Sequence, residues 1–184
     1  MHDILIALAK AAILTALHQP ADFNLTQALQ QYPQLKKEGA VFVTLRKGKN
    51  AQLRGCIGSL EAWRPLYKDV ISNAQAAALK DSRFSPLKVT ELPKIKIEVS
   101  LLSKPKELKY TDMEDLKRKI KPGEDGVILS YWFHRATYLP QVWEELPRFE
   151  DFFASLCQKA GLETNCLKKH PTIKIYHVKK YKEK

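Results

Sequence analysis

Strict alternation of apolar and polar residues marks the clearest strand in the chain. Ile95, Ile97, Val99 and Leu101 alternate with polar residues, so they share one face of a strand over residues 95–101. Residues 39–46 and 51–59 are rich in β-branched and aromatic side chains, and Lys47–Asn50 between them is typical of a turn. The sequence therefore predicts a hairpin followed by a third strand.

Helical spacing of apolar residues and capping signals predict the helices. Asp3 precedes apolar residues spaced for one buried face, Pro65 stands at a helix start, and Gly161 follows a helix end. The predicted helices cover residues 3–17, 24–32, 65–80, 112–120 and 149–160. Further strands are predicted over residues 127–133, 135–139 and 172–178, with residues 104–110 as a loop.

Strands mixed with helices, without regular βαβ alternation, favour an α+β fold with a mostly antiparallel sheet flanked by helices. The 184 residues suit one domain over residues 1–184, with a small lobe at about 104–146. A composition that is 45% hydrophobic excludes a disordered chain.

The N-terminus resembles a signal peptide only superficially. It lacks a basic start, carries Asp3, and Lys10 interrupts the apolar stretch, while Ala11–Leu17 is too short to cross a bilayer. Three cysteines, an odd number without scaffold-like spacing, favour a reducing compartment. We expect a cytoplasmic protein without a membrane segment, in which Cys157 serves core packing.

Basic residues exceed acidic ones by 31 to 20, a net charge of +11. Residues 168–184 hold seven lysines against Glu183 alone. Such an end is most simply a solvated segment that aids solubility, but it can also bind phosphates, which leaves nucleic acid as an alternative partner. Lysine outnumbers arginine, which weakly opposes bidentate phosphate recognition.

The segment Leu53–Gly58 (Leu-Arg-Gly-Cys-Ile-Gly) is unusual because two glycines interrupt a predicted strand. Such glycines mark a β-bulge or a close backbone approach, and we expect them to leave the space around Cys56 open. Arg54 and Cys56 are two residues apart, so both point to one face, where a guanidinium would favour the reactive thiolate. The alternative is that Cys56 is a small buried hydrophobic residue.

This hexapeptide resembles the signature of the AMMECR domain family. The resemblance covers roughly residues 35–178 and extends to other motifs in family order: Arg64–Leu66, Asp81–Phe84, Ile97–Ser100, Gly126–Leu129, Ala136–Trp143 and Leu156–Leu162. Ser82 and Tyr138 depart from the usual proline and phenylalanine, and the stretch 131–134 is unusually aromatic. The chain is thus identified as one AMMECR domain.

The resemblance implies an α+β protein with a smaller second lobe and a cleft between the lobes. It also implies a cytosolic protein that acts with a radical-SAM protein and a Memo-type protein, as members named AmmeMemoRadiSam system protein A do. The candidate catalytic residue is Cys56. The candidate residues of the binding cleft are Arg54, Gly55, Gly58, Glu61, Arg83, Glu98, Thr137 and Gln141.

Each candidate has a plainer explanation. Glu98 lies opposite the apolar face of its strand, where solvent or an ion pair accounts for it, and Arg83 follows a helix whose carbonyls it can cap. His134 and His177 are expected at the surface or the core edge, so the sequence supports no Cys–His pair. It contains neither Cys-x-x-Cys nor His-x-x-x-His, and no glycine-rich phosphate loop. We predict no metal site and assign no cofactor.

Three functions are consistent with the sequence. The first is an accessory protein that acts with radical-SAM and Memo-type partners through a cleft at Leu53–Gly58. The second is an enzyme that uses Cys56 as a nucleophile or redox thiol. The third is a basic nucleic-acid-binding or regulatory protein. The sequence does not decide between the first two.

Overall fold

The computed structural model describes residues 2–183 and divides the chain into two compact units. The first comprises residues 1–102 with 179–184, and the second comprises Ser103–Val178. The small lobe expected at about 104–146 lies within the second unit, which continues to Val178. The predicted class is confirmed, because helices accompany two antiparallel sheets.

The first unit contains helices α1 (His2–Ala16), α2 (Leu25–Gln31) and α3 (Leu66–Leu79). Its sheet contains strands β1 (Ala40–Lys47), β2 (Gln52–Gly58), β3 (Ile95–Leu102) and β8 (Val178–Lys182), in the order β2-β1-β3-β8. Short 3-10 turns cover Pro33–Lys36 and Val89–Lys94. The predicted hairpin of β1 with β2 is confirmed.

One face of this sheet packs against α1 and α3. Val43 of β1 and Val99 of β3 are fully buried there, opposite Leu5 of α1 and Val70 of α3. The period-2 pattern predicted this face. It did not predict that the other face is also buried at Thr44, Glu98 and Ser100.

The second unit contains α4 (Met113–Lys119), α5 (Val142–Glu145) and α6 (Phe149–Lys159). Its sheet contains β4 (Lys106–Glu107), β5 (Gly126–Tyr131), β6 (His134–Tyr138) and β7 (Thr172–Tyr176), in the order β4-β7-β5-β6. A 3-10 turn covers Cys166–Lys169. The core lies between α6 and the sheet face that carries Val127, Leu129 and Ile173.

Three details differ from the sequence prediction. The segment 104–110 contains the two-residue strand β4, which pairs with β7. Strand β5 ends at Tyr131, because the pairing of Tyr131 with His134 leaves Trp132 and Phe133 as a two-residue turn. The lysine-rich end forms β8 with Tyr181 buried, although Lys179, Lys180 and Lys182 face solvent.

No helix within residues 2–183 reaches the length and hydrophobicity that crossing a bilayer requires.

Candidate functional site

The motif Leu53–Gly58 lies on the edge strand β2, where the structure places a β-bulge. Arg46 pairs with Leu53 and Leu45 pairs with Gly55, so Arg54 is the extra residue, with no partner in the β1 register. The bulge expected from the two glycines is therefore confirmed.

The two glycines serve close packing. A Cβ atom on Gly55 would collide with the backbone carbonyl oxygen of Ala77 in α3. A Cβ atom on Gly58 would collide with the ring and backbone of Phe42. The close backbone approach expected from these glycines is therefore confirmed, since a helix backbone and an aromatic ring occupy the space beside them.

The backbone of Cys56 is held by an ion pair from the segment after α3. The Cys56 amide donates to Asp81 Oδ2 at 2.8 Å, and Arg83 Nη2 donates to the Cys56 carbonyl oxygen at 3.2 Å. Arg83 also binds Asp81 through Nε at 2.9 Å and Nη2 at 2.7 Å. Arg83 thus supports a strand carbonyl, where the sequence suggested that it caps the preceding helix.

The hydrogen bonds from Arg83 hold the pKa of Asp81 well below its usual range, and the amide of Cys56 contributes. Hydrogen bonds to Asp81 likewise raise the pKa of Arg83, and the negative charge of Asp81 adds to that effect. The guanidinium that contacts Cys56, through its backbone carbonyl oxygen, is therefore that of Arg83.

The Cys56 side chain is half-buried and shares a hydrogen bond with the Thr44 hydroxyl, 3.2 Å from sulfur to oxygen. Thr44 pairs with both Cys56 and Glu98, so the three side chains form one row across β2, β1 and β3. Glu98 is only 7% exposed, and its Oε2 lies 3.7 Å from Lys182 Nζ. The ion pair therefore explains why a carboxylate stands at position 98, because Glu98 is too little exposed for solvation to explain it.

Arg54 is buried against Glu91. Its Nε and Nη2 donate to the two carboxylate oxygens of Glu91 at 3.1 and 3.0 Å, and Nη2 also donates to the Ser85 carbonyl oxygen. Lys47 donates to the same carboxylate at 2.7 Å. These hydrogen bonds, that from Arg54 first, lower the pKa of Glu91. Arg54 is therefore engaged with Glu91.

Next to the motif lies a buried polar network that the sequence pattern did not predict. Asp69 of α3 is fully buried and accepts hydrogen bonds from the Val41 amide, the Ser59 hydroxyl, Arg64 Nε and Asn73 Nδ2. Asn73 also donates to the Val41 carbonyl oxygen at 3.1 Å. The sequence did contain a signal of this network. Two polar residues, Asp69 and Asn73, are four residues apart on the otherwise apolar face of α3.

A family model described as AMMECR1 matches residues 6–181. The chain belongs to the AMMECR1 family. The resemblance seen in its motifs is thereby confirmed.

Relatives of this AMMECR1 family protein occur in archaea. A protein of Saccharolobus islandicus (strain L.S.2.15 / Lassen #1) is 46% identical over 154 residues, which cover 79% of this chain and 66% of that protein, just under two thirds. A protein of Sulfolobus acidocaldarius is 40% identical over 169 residues, covering 87% of this chain and 73% of the relative. The crystal structure of an uncharacterised protein from Pyrococcus horikoshii is similar with a TM-score of 0.79 and 32% identity, over 100% of this chain and 91% of that one.

The remaining candidates of the AMMECR1 domain lie in the loop after β2 or in the second unit. Glu61 is exposed in the loop that follows β2. In the second unit, the Thr137 hydroxyl shares a hydrogen bond with the Tyr176 hydroxyl at 3.2 Å, and Gln141 is exposed at the start of α5. Their participation in a cleft with the motif stays a prediction.

Both histidines weighed from the sequence have partners within the second unit. His134 Nδ1 donates to the Ala160 carbonyl oxygen at 2.9 Å, and His177 Nε2 donates to Asp125 at 3.0 Å. Among residues 2–183 there is no group of three or more His, Cys, Asp or Glu side chains that could hold a metal ion.

The structure also corrects the role of Cys157. It forms a disulfide with Cys166, with the two Cα atoms 5.8 Å apart, which links α6 to the 3-10 turn Cys166–Lys169. The expectation that Cys157 only packs in the core was incomplete. The sequence could not pair these residues, because the loop between them brings Cys166 back to α6 only in the folded chain.

Proposed function

We propose that this protein is an accessory binding protein that acts with radical-SAM and Memo-type partner proteins through the motif surface. We define the motif surface as the residues Leu53–Gly58 and the loop Ser59–Arg64 that follows them. The partner classes come from the family resemblance. The binding role rests on the arrangement of this surface.

The observation that carries the proposal is the exposed indole of Trp63. Trp63 is 66% exposed, and the Arg64 guanidinium lies 4.6 Å from the centre of its ring. Arg64 is itself fixed by the buried Asp69 at 2.7 Å. Tryptophan and arginine dominate the binding energy of protein interfaces, and a rigidly held pair loses little entropy on binding.

The surroundings of Trp63 also suit a protein partner. Leu53 and Leu60 expose apolar surface along the same segment. Arg54 and Arg83 are engaged with Glu91 and Asp81, so their charges are neutralised locally. An apolar surface bordered by paired charges is typical of a protein interaction site.

The test measures binding to purified radical-SAM and Memo-type proteins from the same organism by isothermal titration calorimetry. We expect the full chain to bind at least one of them and Trp63→Ser to weaken that binding about tenfold or more. Trp132→Ser, the same substitution at an exposed indole of the second unit, is the matched control and should bind normally. Absence of binding, or equal affinities for both variants, would contradict the proposal.

A second candidate function, a thiol enzyme, is favoured by the position of Arg83. Its guanidinium is held at the Cys56 carbonyl oxygen, and a cation close to a cysteine favours the thiolate, which is the form that acts as nucleophile. The first measurement is pH-dependent alkylation followed by mass spectrometry, in which Cys56 should react and Cys157 and Cys166 should not. A Cys56→Ser variant that retains full function in cells would exclude this candidate.

A further inference from the structure

The turn between β5 and β6 presents two aromatic rings to solvent. Trp132 is 82% exposed and Phe133 is 97% exposed. We call these two residues the aromatic tip. Exposure of this degree leaves both faces of each ring open, so the rings contribute little to the core of the second unit. Both rings are accessible to a ligand from solvent.

The backbone of the aromatic tip is unusual for the residue it carries. Trp132 has a φ of 53°, in the left-handed region that glycine or asparagine adopts far more readily than a bulky side chain. A tryptophan here strains the turn and gains no packing. Residues held in such conformations concentrate at sites of function.

The aromatic tip is also held firmly in place. Tyr131 and His134, which flank it, pair across the hairpin, and the His134 ring donates to the carbonyl of Ala160 at the end of α6 at 2.9 Å. The rings are therefore presented from a fixed base, which lowers the entropy lost when they bind a ligand.

Hydroxyl and basic groups lie at the same end of the sheet. Ser130 of β5 pairs with Arg135 on one side and with Thr172 on the other, so the three form a row across β6, β5 and β7 beside the tip. Lys168 and Lys169 are exposed in the 3-10 turn Cys166–Lys169, which is separated by two residues from Thr172 in the chain. Guanidinium, hydroxyl and ammonium groups are the donors that bind phosphate oxygens.

We propose that this end of the second unit binds single-stranded nucleic acid. Bases stack on Trp132 and Phe133, while the phosphates contact Arg135, Lys168 and Lys169. Open aromatic faces beside basic groups are the arrangement that binds single strands without sequence preference. This activity goes beyond the proposed role of the motif surface and uses none of its residues.

Charge decides between nucleic acid and an apolar peptide as the ligand. A peptide that buries two aromatic rings has no need of cations around them, whereas a phosphate backbone does. The net charge of +11 adds a long-range attraction for a polyanion. The same charge also favours weak non-specific binding, so the test isolates the contribution of the rings.

The experiment measures fluorescence anisotropy of a labelled oligothymidylate of about 15 nucleotides, a length that covers one binding surface, with the full chain. We expect Trp132→Ser and Phe133→Ser each to weaken binding about tenfold, the effect of losing one stacked base. Trp132→Tyr, which keeps an aromatic face, should bind nearly as the wild type does. Trp63→Ser is the matched control and should not change the affinity.

The salt dependence of the binding constant separates the contribution of base stacking from that of charge. The aromatic variants should leave the slope of log K against log salt unchanged, while Lys168→Ala with Lys169→Ala should reduce it by about 1.4, or 0.7 for each lost phosphate contact. Wild-type affinity in both aromatic serine variants overturns the proposal, as does a failure of the wild type to bind at low salt. Neither result bears on the motif surface, which Trp63→Ser tests separately.

Discussion

The carboxylate of Asp81 accepts a hydrogen bond from the backbone amide of Cys56, with 2.8 Å between nitrogen and oxygen. Because β2 is an edge strand, this amide has no neighbouring strand to pair with. Asp81 takes the place of a strand carbonyl, and Arg83 takes the place of a strand amide at the Cys56 carbonyl. The ion pair thus protects the edge of the sheet at the centre of the motif.

Asp81→Asn should lower the free energy of unfolding at pH 7 by about 1–3 kcal/mol, because Asp81 is buried and loses its charge-assisted bonds to Arg83. The pKa of Asp81 is lower in the folded protein than in the unfolded one, so its ionisation contributes stability at neutral pH. That contribution is lost as the pH falls from about 4 toward the pKa of the folded state.

Urea unfolding at pH 7 and pH 3 measures this difference. The gap between wild type and Asp81→Asn should narrow at the lower pH. A gap of constant size would show that the charge of Asp81 is not what stabilises the edge.

Gly55→Ala should destabilise the protein by about 3 kcal/mol or more, because its Cβ atom would meet the backbone of Ala77, which cannot move without displacing α3. Gly48→Ala is the matched control. Gly48 has a φ of +73° but open space around it, so only backbone strain of about 1 kcal/mol is expected. Thermal unfolding compares the two variants, and equal losses would contradict the close approach of α3.

Asp69→Ala should cost about 3–5 kcal/mol, because it leaves the Arg64 charge and the Val41 amide without their buried acceptor. Asp151→Ala, at an exposed ion pair of 3.5 Å with Arg148, should cost less than about 0.5 kcal/mol. Chemical denaturation followed by circular dichroism provides both values. A small loss at Asp69 would mean that water replaces the carboxylate.

Reduction of the Cys157–Cys166 disulfide should destabilise the second unit by about 2–3 kcal/mol, the loop-closure entropy of a short cross-linked loop. The melting temperature of Cys56→Ser, which retains both partners of the disulfide, should fall with a phosphine reductant as that of the wild type does. Cys157→Ala with Cys166→Ala should melt at the same temperature with or without it. Intact-mass measurement before and after reduction checks directly that the bond is present.

Local sequence signals placed most of the secondary structure. Gly161 follows α6 at a φ of +75°, as its position in the sequence indicated, and the side chains of Asn24 and Asp112 cap the predicted helices α2 and α4. The two-residue strand β4 and the terminal strand β8 were not predicted. Both are short or rich in charged residues, and pairing with a distant strand stabilises them.

The candidate site was predicted in part. The motif hexapeptide and the bulge were evident from two glycines in a strand, and Cys56 lies there half-exposed. The hydrogen-bond and ion-pair partners of the motif residues were not evident from the sequence. Arg54 pairs with Glu91, 37 residues away in the chain, and the Cys56 amide pairs with Asp81, 25 residues away.

The sequence by itself determined the α+β class, the family and the hairpin that carries the motif, because these depend on periodicity, turn chemistry and contiguous residues. Only the tertiary structure decided which guanidinium lies beside Cys56, why its neighbours must be glycine, and that Cys157 and Cys166 are joined. Those features depend on contacts between segments far apart in the chain, and local pattern does not specify such contacts. The buried network of Asp69 shows the same limit, since its acceptor role exists only where α3 packs against β1.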